Sequence, residues 1–245
     1  MKILVCITHV PDTTSKINFK DNNTKFDSSG VQFIIGPYDD YALARAVELK
    51  ESTGSTVTVL NVGLADTEPT IRKALAIGAD DALRVNAEPI DSFFVAAQIA
   101  KIATAGAYDL ILMGRESIDY NSGVVHGIVG EMLGIPSVSP VMKMDFEGTK
   151  AKLTREIEGG KEFLEVNLPF VAGCQEPIAE WKIPNMRGIM SARTKPLKVV
   201  EAKAVDSGVK LQKFELPPPK GAVKMISADN VGELVTLLKT QAKVL

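Results

Sequence analysis

The chain has 245 residues, 45% of them hydrophobic and 24% charged, with a formal net charge of −2. That balance excludes a disordered chain and leaves no electrostatic basis for binding nucleic acid or an anionic membrane surface. No apolar run approaches the roughly 20 residues a membrane helix needs, so no membrane insertion is expected, and the length suits one large α/β domain or a domain with an appendage.

The amino-terminal stretch MKILVCITHV is rich in β-branched residues and is followed by no small-residue cleavage site. It reads as a first strand over 3–8 rather than as a signal peptide. Residues 38–50 place Leu43, Ala46, Val47 and Leu49 on one helical face, with Asp39 or Asp40 as the expected cap. There follow a strand over 56–62, a helix over 67–77 stopped by Gly78, and a short strand over 82–85. Asp91 caps a helix running to 103, 110–113 is a fourth strand, and 123–133 is a helix ended by Gly134 and Pro136. Continuous apolar strands separated by helices indicate parallel βαβ units, an α/β fold with a doubly wound, mostly parallel, Rossmann-like sheet. The pattern then changes. Residues 141–146, 150–156 and 162–166 are strand-like and joined by the turns EGTK and EGGK, so an antiparallel hairpin addition is expected within 138–168, with 167–173 returning to the core as a strand.

From Cys174 onward the period is lost. CQEPIAEWKIPNMRGIMSARTKPLKVVEA has no clear helical or strand repeat, and 214–220 contains three consecutive prolines, a stiff extended spacer. Residues 230–239 return to helix, with Val231, Leu234, Val235 and Leu238 at helical spacing. A long irregular arm ending in an isolated amphipathic helix suggests packing on a partner chain; a tail folded back on its own domain fits the pattern equally well. The expected organisation is an α/β nucleotide-binding domain over 1–175, a loop and linker over 176–200, and an extended arm over 201–245.

The loop GRESIDYNSGVVHG, residues 114–127, follows directly on the apolar strand. Its segment 122–125 is expected to open the next helix and so to offer free backbone N–H groups and the helix dipole to an anion. Ser122 adds a hydroxyl, Gly123 permits close approach, and Asp119 can orient the loop or accept from a ribose hydroxyl. The first strand's end at Cys6, the segment GPYDD and the second strand's end at Val62 are expected to face the same crevice. There is no GxxxxGK[ST] and no GxGxxG, so neither Walker-type phosphoryl transfer nor ordinary dinucleotide binding is supported. The paired acids Asp39/Asp40, Asp80/Asp81 and Glu156/Glu158 read as solvated caps and turns, and no catalytic constellation emerges. The only histidines are His9 and His126, no Cys/His cluster has metal-ligand spacing, and Cys6 and Cys174 read as buried reduced thiols.

In order and spacing, the stretches KILVCITHVPDT, GPYDDYALARAVELKE, TIRKALAIGADDALRV, YDLILMGRESID, REIEGGKEFLEVNLP and EP followed by IPNMRGIMSARTKP resemble the β (small) subunits of electron-transfer flavoproteins along nearly the whole chain. The resemblance implies an electron carrier with no substrate turnover of its own, located in a bacterial cytoplasm. It implies a heterodimer with an α subunit that holds most of an FAD, a buried structural AMP in this chain, donor dehydrogenases such as acyl-CoA dehydrogenases, and a quinone-reducing acceptor. Carried over by position, the nucleotide lining is Cys6, Gly36, Pro37, Tyr38, Asp39, Val62, Gly114, Arg115, Glu116, Ser117, Ile118, Asp119, Asn121, Ser122, Gly123, Val124 and Val125, with Tyr38 and Thr13 on the flavin side. The dehydrogenase-recognition loop contains Ile183, Pro184, Asn185 and Met186, with Ile183 as its apolar anchor. Two departures stand out. Val124 replaces the usual glutamine of the nucleotide loop, and the recognition loop is longer, with Ile178-Ala179 in place of the common Arg-Tyr. The alternatives are a bifurcating subunit with a second FAD in place of AMP, whose Gly-Asp-Thr-Ala-Gln loop is absent here, and a stand-alone adenine-nucleotide-binding protein.

Overall fold

The structure, a computed structural model, describes all 245 residues. Its elements in chain order are β1 (Lys2–Cys6), β2 (His9–Pro11), β3 (Phe19–Lys20), β4 (Lys25–Phe26), β5 (Phe33–Ile35), α1 (Pro37–Thr53), β6 (Thr56–Val62), α2 (Glu68–Ile77), β7 (Asp81–Asn86), α3 (Ser92–Gly106), β8 (Leu110–Gly114), α4 (Val125–Leu133), β9 (Ser137–Glu147), β10 (Lys150–Ile157), β11 (Gly160–Asn167), β12 (Phe170–Cys174), α5 (Met186–Ala192), β13 (Leu197–Glu201) and α6 (Val231–Leu237). They divide into two compact units, Met1–Asn18 with Asp27–Leu211, and Phe19–Phe26 with Gln212–Leu245.

The first unit is built on a nine-stranded sheet of order β11-β10-β9-β12-β8-β1-β6-β7-β13. All neighbours from β9 to β13 pair in parallel, whereas β10 is antiparallel to both β9 and β11. The central strands β1, β8 and β12 are buried on both faces, which is why they are continuously apolar. Ile3 and Val5 of β1 pack with Leu43 and Val47 of α1 and Ile71 and Leu75 of α2, while Leu4 and Cys6 pack with Ile99 of α3 and Val129 of α4. The fold is therefore the expected α/β architecture with its antiparallel addition. Pro37 opens α1, where its missing N–H costs nothing, and Gly54 closes it in the left-handed conformation. Asp91 caps α3 as expected, its carboxylate accepting from the Phe94 N–H at 2.7 Å.

Three findings differ from the sequence reading. The stretch after Cys174, without evident period, contains both α5 and β13. The latter pairs Leu197–Glu201 against β7 at the edge of the sheet, with mostly exposed residues that carry no apolar alternation. Helix α4 begins at Val125 and not at residue 123, because Asn121 and Gly123 adopt positive φ of 49° and 60°. The short ribbon of β2 against β5, pairing His9 with Ile35, is too brief to show a repeat in sequence.

In the second unit, β3 and β4 form a two-residue ribbon whose turn residues Asp21, Asn22 and Asn23 all have positive φ. Phe19 stacks on Phe214 at 4.8 Å, and the Phe214 N–H donates to the Asn23 carbonyl at 2.7 Å. The expected terminal helix is present as α6, continued by a π turn over Leu238–Ala242, with Val231, Leu234 and Val235 exposed.

Phe170 is fully buried in β12 and packs beside Phe146. Phe170→Ala is expected to destabilise the chain by about 3–5 kcal/mol through lost burial and a residual cavity, read as a shift in the urea unfolding midpoint.

Candidate functional site

From β1 the chain passes to β6 and then β7 on one side, and returns as β8 on the other side of β1. The connections leaving β1 and β8 thus diverge, and their carboxyl ends form the switch point at which sheets of this kind bind ligands. Asp39, buried in the first turn of α1, spans that point. One of its carboxylate oxygens accepts from the Thr8 N–H at 2.8 Å and the Thr8 hydroxyl at 2.6 Å; the other accepts from the Gly114 N–H at 2.7 Å. This corrects the expectation that Asp39 or Asp40 caps α1: the N-cap is Gly36, with no side-chain cap bond. Asp39 turns instead toward three donors at the strand ends. Burial pushes its carboxyl up from 3.8 to about 6 against the downward pull of those hydrogen bonds, and the nearby Asp119 adds to the rise. Two glycines make this closeness possible. A Cβ on Gly114 would lie 2.6 Å from Tyr38 Cβ and 2.7 Å from an Asp39 carboxylate oxygen, and one on Gly36 would run into the Thr8 hydroxyl.

Beyond Gly114 the loop is tied to the next strand. The Arg115 N–H donates to the Cys174 carbonyl at 2.9 Å, and its guanidinium donates to Gln175 at 3.0 Å and to Glu116 at 3.0 Å. The same guanidinium lies 4.8 Å from the centre of the Tyr38 ring. Gln175 is buried and donates to Glu156 at 2.6 Å. Gln175 and Glu156 were not foreseen in these roles, because nothing local in sequence announces a partner 60 or 19 residues away. The Ser117 hydroxyl donates to Asp119, whose carboxylate also accepts from the Tyr120 N–H at 2.9 Å. The Ser92 hydroxyl donates to the Ser122 hydroxyl at 3.0 Å, and no side chain caps α4. Around Gly123 the space is open, with the nearest atoms to a built Cβ at 3.9 Å.

The remaining residues expected to line the site are placed as follows. Cys6 ends β1 and Val62 ends β6. Ile118 is half-buried, Asn121 and Val124 are exposed, and Val125 is the first helical residue. Cys6 and Cys174 are free, buried thiols raised by burial, and so poorly suited to reaction as thiolates. Thr13 is exposed in the turn following β2. Ile183, Pro184, Asn185 and Met186 lie elsewhere. They belong to a strap that leaves the carboxyl end of β12 at Gln175 and ends at the amino end of β13, with Asn185 capping α5 through its bond from the Gly188 N–H at 2.8 Å. Ile183 and Met186 are 75% and 74% exposed, which marks both as unspent apolar surface.

Residues 24–205 match the electron transfer flavoprotein domain. The electron transfer flavoprotein subunit beta of Bacillus subtilis is 34% identical over 259 residues, covering 100% of both chains. That of Syntrophomonas wolfei is 37% identical over 224 residues, covering 91% of this chain and 88% of the relative, and the human subunit is 30% identical over 247 residues, covering 98% and 97%. The chain belongs to the electron transfer flavoprotein beta-subunit family. As a member it is a subunit of an electron-carrying flavoprotein and implies an alpha subunit as its partner. No helix of this beta subunit is long and apolar enough to cross a membrane.

The Asp39 clasp carries a pH signature. Because burial raises its folded-state pKa from 3.8 to about 6, the folded chain binds a proton across that interval which the unfolded chain does not. The contribution is fully present below the unfolded value and is lost as pH rises through about 6. The stability gap between the wild type and Asp39→Asn is therefore expected to widen by about 2–3 kcal/mol as pH falls from roughly 7 to 4, measured by urea unfolding. A gap independent of pH would exclude a buried, titrating Asp39.

Proposed function

We propose that this beta subunit holds AMP in the crevice between β1 and β8 as a structural ligand, and completes the FAD site of its alpha subunit. Together they carry electrons from dehydrogenases of the acyl-CoA type, in a bacterial cytoplasm, to a quinone-reducing acceptor. The observation that carries the nucleotide assignment is the uncapped amino end of α4 facing the switch point beside Ser122 and Gly123. Free N–H groups, a hydroxyl and open space suit a phosphate. The other proposed lining, Cys6, Gly36 to Asp39 and Val62, lies at strand and helix ends, where backbone groups rather than side-chain motifs meet a nucleoside. Tyr38, with Arg115 beside its ring, supplies the aromatic flavin-side wall in this reading, and Thr13 the neighbouring loop. FAD supplies the electron-accepting chemistry; the residues of this chain bind, orient and exclude water.

Nucleotide content tests this directly. When the chain is co-expressed with its alpha subunit, purified and denatured, one FAD and one AMP per heterodimer are expected in the released nucleotides. Two FAD would replace this reading with the bifurcating one. FAD alone would mean that a loop with Val124 in place of glutamine no longer retains AMP.

The exposed apolar residues of α6 support the assignment of the carboxyl-terminal arm to the alpha subunit. The double variant Val231→Asp, Leu234→Asp is expected to reduce heterodimer recovery in size-exclusion chromatography at least tenfold, since each charge would have to be desolvated on assembly. Undiminished assembly would remove the arm from the interface.

A further inference from the structure

The strap over residues 175–195 is attached at both ends. At its start, the Gln175 N–H donates to the Val141 carbonyl at 3.0 Å, the Ile178 N–H donates to the Gln175 carbonyl at 3.0 Å, and Ile178 is buried in the core. Midway, Lys182 pairs with Glu51 of α1 at 3.1 Å. At its end, α5 lies against α2. Gly188 approaches so closely that a Cβ there would collide with the Ala76 carbonyl oxygen. Arg72 of α2 donates to the Ala192 carbonyl at 2.9 Å and the Lys195 carbonyl at 2.8 Å. Lys195 answers in the other direction, its ammonium donating to the Leu75 carbonyl at 2.9 Å and the Ala79 carbonyl at 2.5 Å. Leu75 is in the last turn of α2, whose carbonyls lack partners within the helix, and Ala79 lies just past its cap Gly78, where the helix dipole favours a cation. Lys50 donates to the Gly78 carbonyl at 3.0 Å and pairs with Asp80, so two ammonium groups share that helix end with one carboxylate.

Along this braced segment Trp181, Ile183, Met186, Ile189 and Met190 are exposed, while Ala192 is buried in the core. An apolar ridge on a mobile loop would lose the entropy of ordering on every encounter; one held by main-chain and ammonium contacts does not. We propose that the carboxyl end of α2 is the seat that presents this ridge to the donor dehydrogenase, and that Lys195 is its positioning residue. The inference rests on the reading of residues 183–186 as the dehydrogenase-recognition segment. Lys195 acts through its neighbours, by locking α5 onto α2.

The test uses the assembled heterodimer. In Lys195→Met, amide hydrogen exchange over residues 186–192 is expected to quicken about tenfold, with Lys195→Arg restoring slow exchange. With an acyl-CoA dehydrogenase as the probe donor, the KM of that dehydrogenase for the heterodimer is expected to rise about tenfold with kcat nearly unchanged, because the lost interaction acts on docking and not on electron transfer. Flavin content is unchanged. Gly188→Ala, which pushes α5 from Ala76 by a separate route, is expected to do the same and serves if Lys195→Met folds poorly. Unchanged exchange in both variants would overturn the seat. Faster exchange with unchanged KM, where Ile183→Glu raises KM, would overturn its role in presentation. If Ile183→Glu also leaves KM unchanged, the recognition reading fails while the bracing of α5 by Lys195 stands.

Discussion

Asp39 bonds two chain segments that are neighbours in space but 106 residues apart along the chain, from the Thr8 backbone that follows β1 to the Gly114 backbone that ends β8. The arrangement around it follows from that bond. Gly36 must be a glycine for the carboxylate to reach Thr8, and Gly114 must be one for Tyr38 and Asp39 to lie over it. Arg115, the next residue, is thereby aimed at Tyr38 on one side and Gln175 on the other. A buried carboxylate is costly unless its lone pairs are met, and here three donors meet them. The residual cost appears as the raised carboxyl pKa.

The nucleotide site proposed at this point has little need of a side-chain motif. Its donors are the N–H groups of strand ends and of an uncapped helix, which any sequence able to form the turn would offer. On that proposal a loop with Val124 needs no glutamine, and the fingerprints of phosphoryl transfer and dinucleotide binding, which are absent here, are not required. It also suits a carrier subunit. Binding and orientation require shape and backbone polarity, whereas turnover would require acids, bases or nucleophiles of matched pKa, and the buried thiols Cys6 and Cys174 are driven away from such use.

The strap that displays Ile183 and Met186 leaves from the carboxyl ends of the strands and is fastened at their amino ends, beside the last turn of α2. The proposed nucleotide site and the exposed ridge therefore occupy opposite ends of one sheet. The sheet between them is close-packed and parallel, and it fixes both without requiring either to touch the other.

Sequence by itself determined the α/β class, the central strands and the hairpin addition, because apolar runs of strand length, helical spacing and glycine turns are local signals. It also determined the family, through six ordered motifs whose spacing no single loop could imitate. Only the tertiary structure decided the rest. The pairing of β13 on β7 was invisible because an edge strand with exposed side chains, Lys198 and Val199 among them, shows no alternation. The start of α4 at Val125 was decided by two left-handed residues, one of them the non-glycine Asn121. Asp39 read as a helix cap, the role an aspartate in a first turn usually has; what turned it inward were donors 31 and 75 residues away. Nothing local marks Lys195; its role comes from the Leu75 and Ala79 carbonyls that the fold places beside it. For β13, Asp39 and Lys195 the deciding partner is distant in sequence, and a hydrogen bond leaves no periodic trace along the chain.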